Sequence, residues 1–283
     1  MLSRIWGLAS RRSKVAVMAA AALVAAALAP STAKAADEKP GSAYSFSFGT
    51  DVTSHFISYG ADVWGGGNNA SPFNPNSTAF TYGTMTAKFS DNLSGFVNVW
   101  SDLNNNVNSG IGGPIQEVDI NAGLTLSLDK LSVTVAHGYW IYAGDEEKIL
   151  DLVVGYNDAD LFAKGLALNP SVTVHWRYDG NGSQDKGLAV VPGIKPSFTF
   201  GEGKYPITVA IPLSIAIFEG GFQGGDGGIG FYSGGVTASV PLAFIPAKYG
   251  NWTASASATY YHTPKDQIPN NPNENFIVTA LSV

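Results

Sequence analysis

Apolar and polar positions alternate along this chain with a period of two, and Gly, Asn, Asp and Pro interrupt the pattern at intervals. The alternation is clearest over 115–128, where Val118, Ile120, Ala122, Leu124, Leu126 and Leu128 interleave with Glu117, Asp119, Asn121, Gly123, Thr125 and Ser127. Asp129-Lys130 reverses the chain, after which Leu131, Val133 and Val135 alternate with Ser132, Thr134 and Ala136. Successive side chains on a strand point to opposite faces, so this spacing predicts a hairpin with one greasy and one polar face. Extended along the sequence, the same reading predicts twelve strands, at 44–60, 79–89, 93–103, 115–128, 131–143, 148–157, 169–179, 187–200, 205–218, 229–243, 251–263 and 275–283.

The connections sort into two kinds. Those after odd-numbered strands are mostly long and polar: 61–78, 104–114, 144–147, 180–186, 219–228 and 264–274. Those after even-numbered strands are mostly tight, at 90–92, 129–130, 201–204 and 244–250, with 158–168 as a longer, partly apolar exception. Long loops on one side and short turns on the other belong to outer-membrane barrels, whose even strand count puts both termini on the short-turn, periplasmic side. The expected fold class is therefore all-β: a closed antiparallel transmembrane β-barrel of about 12 strands. Phe198, Phe200, Tyr205, Phe244, Tyr249 and Trp252 lie beside the presumed periplasmic turns, where an interfacial aromatic girdle belongs.

Three features resist the pattern. Pro192, Pro196 and Pro212 fall inside strands eight and nine, where each removes a ladder donor, so bulges or breaks are expected there. In 93–103, Phe96, Asn98 and Trp100 share a face, which leaves the orientation of that strand open. His137 falls on an apolar face with no evident reason.

The N-terminal segment reads as an address rather than as structure. Arg4, Arg11, Arg12 and Lys14 precede an apolar run from Val15 to Ala29, and Ala33-Lys34-Ala35 offers small residues for cleavage. That layout is a secretory signal over 1–35, of the Sec or twin-arginine kind, followed by a short periplasmic segment at 36–43 and a barrel domain over 44–283. Loss of 1–35 removes five of 16 basic residues and no acid, leaving 11 basic against 22 acidic residues. That balance argues against nucleic acid as a partner. The chain has no cysteine, which excludes disulfides and thiolate sites, and its four scattered histidines suggest no metal centre. Nothing after the signal reaches the roughly 18 consecutive apolar residues of a membrane-spanning helix, so any membrane crossing must be made by closed strands.

Several segments resemble proteobacterial outer-membrane barrels of the porin type, and among these the TorF-like group of outer-membrane proteins. They are Gly49-Thr50-Asp51-Val52-Thr53-Ser54-His55-Phe56-Ile57-Ser58, Ser94-Gly95-Phe96-Val97-Asn98-Val99-Trp100-Ser101, and Glu117-Val118-Asp119 with Gly138-Tyr139-Trp140-Ile141-Tyr142. The likeness covers about the first half of the chain beyond the signal. It departs where His55-Phe56-Ile57-Ser58-Tyr59-Gly60 replaces an aromatic-Arg-Gly step, and where Val283 replaces the C-terminal Phe of barrel assembly signals. The resemblance implies an outer-membrane location, a channel activity and no cofactor.

If the polar faces line a lumen, the pore-lining set is Asp51, His55, Lys88, Glu117, Asp119, Asn121, Asp151, His175, Arg177, Asp179 and Lys195. With Asp102 added, six acids face three bases, and rings of one sign bias which ions enter a pore. The expected function is passive diffusion of small polar solutes or ions, slightly favouring cations, with outer-membrane lipid as the other partner. About twelve strands lie between the filled eight-stranded and the water-filled sixteen-stranded barrels, so the count leaves open or plugged undecided. The alternative is a closed barrel with a loop-binding or structural envelope role. An outer-membrane lipid hydrolase is the third reading, for which neither Thr173 beside His175 nor Thr53 and Asp51 beside His55 makes a triad; no catalytic residue is assigned. Glu117 and Asp119 could take a cation such as Ca²⁺, although solvated lumen acids are the better explanation of the pair. Gly220–Gly228 resembles one calcium-binding nonapeptide with the wrong spacing, and 65–69 lacks the lysine of a phosphate loop, so both read as mobile loops.

Overall fold

The computed structural model describes residues 43–142, 145–159, 161, 166–180 and 186–283. The expected signal at 1–35, and residues 36–42 of the segment after it, lie outside the described residues. The strands are β1 (Tyr44–Thr53), β2 (Ile57–Ser58), β3 (Ala61–Asp62), β4 (Thr78–Lys88), β5 (Leu93–Leu103), β6 (Ile115–Leu128), β7 (Leu131–Tyr142) and β8 (Asp145–Tyr156). They continue as β9 (Ser171–Asp179), β10 (Gly187–Ile194), β11 (Ser197–Phe200), β12 (Ile207–Ala210), β13 (Leu213–Phe218), β14 (Gly228–Pro241), β15 (Thr253–His262) and β16 (Asn275–Ser282).

One hairpin apart from the ring and two proline breaks explain why sixteen segments make twelve staves. The strand formed by β10 and β11 is broken at Lys195-Pro196, and that formed by β12 and β13 at Ile211-Pro212. A proline nitrogen has no hydrogen to donate, so each ladder is interrupted. The breaks are adjacent in space and are stitched by Ile211 N–H donating to the Pro196 carbonyl at 2.8 Å. Pro192 stays within β10, opposite Val172 of β9, and the ladder to β13 skips from Val190 to Gly193. Counting each broken strand once, twelve antiparallel strands run around the ring, with β2 and β3 paired apart from it as a small hairpin.

The ring is closed. Asp51, Val52 and Thr53 of β1 pair with Ser282, Leu281 and Ala280 of β16, and Thr50 and Val283 exchange backbone hydrogen bonds of 2.9 and 3.0 Å. Closure leaves no strand edge along the seam where those residues meet, which is the condition for strands to stand in hydrocarbon.

Register assigns the two faces. The outward residues include Leu124 and Leu126, Leu150 and Leu152, and Leu213, Ile215 and Ile217, each with more than a third of its surface exposed. So much exposed aliphatic surface is expected of a lipid-facing belt and not of a water-soluble sheet. Hydroxyls on that belt are satisfied locally: Thr81 Oγ1 and Ser101 Oγ lie 2.8 Å apart, and Thr50 Oγ1 donates to the Phe80 carbonyl. Tyr44, Phe46, Phe89, Phe200, Tyr205, Phe244 and Tyr249 stand exposed at the short-turn end, and Phe48 meets Trp252 edge-on at 5.0 Å between ring centres. This is the architecture of an outer-membrane β-barrel.

Three expectations are corrected, one of them the long connection expected at 144–147, where β7 runs to Tyr142 and β8 starts at Asp145. The first strand ends at Thr53 rather than residue 60, and 57–62 turns back on itself as the β2–β3 hairpin. The connection at 242–252 is long, with a 3₁₀ turn at Ala247–Tyr249, so the short-turn side is less uniform than its sequence suggested. The orientation of 93–103 is settled by pairing: Trp100 lies opposite Asp119 and Asn98 opposite Asn121, so Phe96, Asn98 and Trp100 face inward. Small residues make that room. A Cβ at Gly123 would stand 2.7 Å from the Phe96 ring, and one at Gly49 would stand 2.7 Å from the Tyr82 ring.

Candidate functional site: a lumen closed at one end

The inner face divides into two zones along the strands. Toward the short-turn ends it carries mainly Ser, Thr and Gly, which meet across strands: Thr125 with Thr134 at 2.9 Å, Ser214 with Ser233 at 2.6 Å, and Thr199 with Thr208 at 3.1 Å. Ser255 and Ser282 are paired on the same face. These short side chains leave space along the axis and are partly accessible. Toward the long-loop ends the inward residues become aromatic or charged, and most are buried.

Loops fill that second zone. The 54–77 connection folds into the barrel mouth and carries the β2–β3 hairpin. Ile57 pairs with Asp62 and Ser58 with Ala61, leaving Tyr59-Gly60 as a two-residue turn with φ of +46° and +82°. Positive φ at both central positions is the I′ geometry that suits Asn-Gly, and a bulky tyrosine there costs about 1–3 kcal/mol. The tyrosine ring is placed by that turn 4.1 Å, centre to centre, from His175 on β9, and 5.7 Å from Phe222 in the 219–227 loop. Burial pushes the Tyr59 phenol well above its usual range, with the nearby Asp151 charge adding to the rise.

Hydrogen bonds clasp the hairpin from several sides. Gln223 Nε2 donates to the Ser58 carbonyl at 2.9 Å, and Asn271 Nδ2 donates to the Gly60 carbonyl at 2.8 Å. Asn271 Oδ1 accepts from Asp62 N–H at 2.8 Å. His55 Nδ1 lies 3.1 Å from Asp62 Oδ2, both side chains fully buried. At the loop's return, Trp64 Nε1 donates to Asp102 Oδ2 at 2.8 Å, and Thr78 also donates to Asp102. Ala61 and Tyr59 rest on an apolar cluster of Phe218, Phe222, Phe231 and Ile268. While Phe231 keeps its ring, position 60 has no room for a side chain, since a Cβ would lie 2.8 Å from that ring. Beneath the hairpin is a cavity of about 250 Å³ lined by Ile57, Tyr59, Thr173, Val191, Phe231 and Tyr261.

The wall behind the plug holds buried charge. Arg177 Nε lies 3.1 Å from Glu147 Oε2, each side chain no more than 2% exposed. Arg177 Nη1 donates to the Phe222 carbonyl at 2.6 Å, and its guanidinium sits 4.4 Å from the centre of the Phe222 ring. His175 Nδ1 is 2.6 Å from Asp151 Oδ1. Asp119, Asn121 and Asn98 line the next strands, with Asn121 donating to Asn98 at 3.1 Å. Asp119 Oδ1, Glu147 Oε1, Asp62 Oδ1 and His175 Nε2 are buried without a hydrogen-bond partner among the described residues.

The eleven residues proposed from sequence separate on this frame. Asp51, Glu117, Asp119, Asn121, Asp151, His175 and Arg177 occupy inward positions of the staves. Asp51 accepts from the Tyr82 hydroxyl at 3.2 Å. Lys88 closes β4 at the short-turn end, opposite Ser94. His55 is not on the wall; it belongs to the plug, because β1 has already ended. Asp179 lies on the outside, because a bulge at Tyr178 flips the face; it pairs with outward Lys148 at 2.6 Å. Lys195 sits in the break between β10 and β11, its N–H donating to the Leu168 carbonyl. Sequence reasoning missed Tyr59, Asp62, Phe222 and Glu147. For Glu147 a signal existed, because it continues the inward series Ile149, Asp151. His137 acquires a partner: it faces outward midway along β7, with Nε2 2.5 Å from the Tyr178 hydroxyl.

Comparison with known proteins adds little to this geometry. No protein-family model matches the chain, and no curated protein matches it. Among solved structures, a bacterial polysaccharide outer membrane secretin superposes with a TM-score of 0.37 at 9% identity, over 84% of this chain and 97% of that one. A second, from work on the mechanism behind the in-meso crystallization of membrane proteins, gives a TM-score of 0.40 at 12% identity, over 84% and 82%.

Proposed function

We propose that this protein is an outer-membrane channel for small polar solutes or ions with a slight cation preference, held here in a closed arrangement. The observation that carries the reading is the inner face: mainly hydroxyls toward the short turns and mainly ionisable groups toward the long loops, inside an apolar outer belt. Asp51, Asp102, Glu117, Asp119, Glu147 and Asp151 stand on that face against Arg177 and Lys88. An excess of acid draws cations inward. In this reading the long loops face outside, the termini face the periplasm, and solutes cross without chemistry.

Purified, refolded protein in a planar bilayer tests the proposal. Discrete current steps are expected, with a reversal potential in a KCl gradient displaced toward potassium. Absence of steps together with absence of solute entry into protein-loaded liposomes would reject it. The packed loop end favours one second reading, a permanently closed barrel with a structural or loop-binding role, which predicts silence in both assays.

A further inference from the structure

We propose that the β2–β3 hairpin is the gate of the lumen, latched by Tyr59 against His175 and Phe222, and that its withdrawal toward the loops opens the barrel. The inference rests on the channel reading above and adds a moving part to it.

Four observations point to a displaceable element. The hairpin is separate from the ring: its two-residue strands pair only with each other among the described residues. Its turn is strained at Tyr59, where φ is +46°. The strain persists because the surroundings hold it, and it is released if the turn leaves. The clasps from other loops come from two side chains rather than a continuous ladder: Gln223 donates to the Ser58 and Tyr59 carbonyls, and Asn271 donates to the Gly60 carbonyl and accepts from Asp62 N–H. Finally, buried polar atoms that have no partner among the described residues lie on both sides of the contact, Asp62 Oδ1 on the hairpin and His175 Nε2 and Glu147 Oε1 on the wall. Admitting water would satisfy them, so closure is opposed by the groups that it covers. Two arrangements of similar free energy are the requirement for a gate.

The test exploits a chain without cysteine. A Cβ built at Gly60 lies 3.3 Å from Phe231 Cβ on β14, close to disulfide spacing. The G60C/F231C protein should show no current steps when oxidised and should recover them in dithiothreitol. Y59A removes the latch ring and should lengthen open time about fivefold to tenfold, the equivalent of one aromatic contact. A heat-modifiable gel shift confirms that each variant is folded. If the double-cysteine barrel does not fold, Q223A/N271A removes two clasps without altering the turn and should also lengthen open time. Equal currents from oxidised and reduced G60C/F231C, or unchanged open time in Q223A/N271A, would overturn the gate and leave the channel standing. Silence from wild type, Y59A and Q223A/N271A alike would reject the channel and the gate with it.

Discussion

Arg177 shows how the lumen tolerates charge. Its guanidinium faces Glu147, the Phe222 carbonyl and the Phe222 ring, and the side chain is almost wholly enclosed. Replacing one member of a buried pair strands the other. R177M is expected to lower stability by about 3–5 kcal/mol, whereas R177M/E147L should recover most of the loss. Urea titration of the folded, heat-modifiable band measures both. Tyr59 titrates in the opposite sense to a paired carboxylate. Its folded pKa is raised, so its contribution is complete below the ordinary phenol range and is lost as pH climbs from that range through the higher folded value. The difference in tyrosinate absorbance between wild type and Y59F should therefore appear later than that of an exposed tyrosine. Inward acids such as Glu117 and Asp119 were legible, because a period of two assigns them to a face. The Tyr59–His175 contact was not, since it joins residues far apart in sequence through a turn whose preferred residues are Asn and Gly.

At the level of single elements, face assignment makes a sharp prediction. Ile215 and Ser214 are neighbours on β13, one on the lipid side and the other paired with Ser233 within the barrel. I215K should cost about 2–4 kcal/mol of folding free energy in a bilayer, while S214K should be tolerated. Folding yield into lipid vesicles, read by gel shift, distinguishes the two and would expose an inverted register. Most strand positions were readable in advance because lipid and water on opposite faces impose a strict alternation. The overrun of the first strand to residue 60 has a physical cause as well. The plug is half buried, so 54–60 keeps a strand-like pattern although it has left the ring. Prolines 196 and 212 announced the breaks, but not that the two gaps would lie side by side and share one hydrogen bond.

For the molecule as a whole, integrity depends on the seam between β1 and β16. Ending the chain before Asn275 removes the partner of Asp51–Thr53 and exposes two strand edges. Such a truncation should lose the heat-modifiable band and sediment as aggregate. The twelve-strand ring was legible from the count of alternating segments. Whether it stood open was not, because that depends on where loops fold, and loop sequences carry no periodicity to read.

The hydroxyl-lined half has an electrical consequence. If water fills it from one side, as the proposed channel requires, it conducts, so almost no voltage is sustained along it. A potential applied across the bilayer would fall instead over the obstructed half alone, about 15 Å of a roughly 30 Å core. On that proposal the local field there would be about doubled, and it would act on the stretch that contains Glu147, Arg177 and the hairpin's Asp62. A carboxylate carried fully through that drop exchanges about 2.3 kcal/mol per 100 mV with the field.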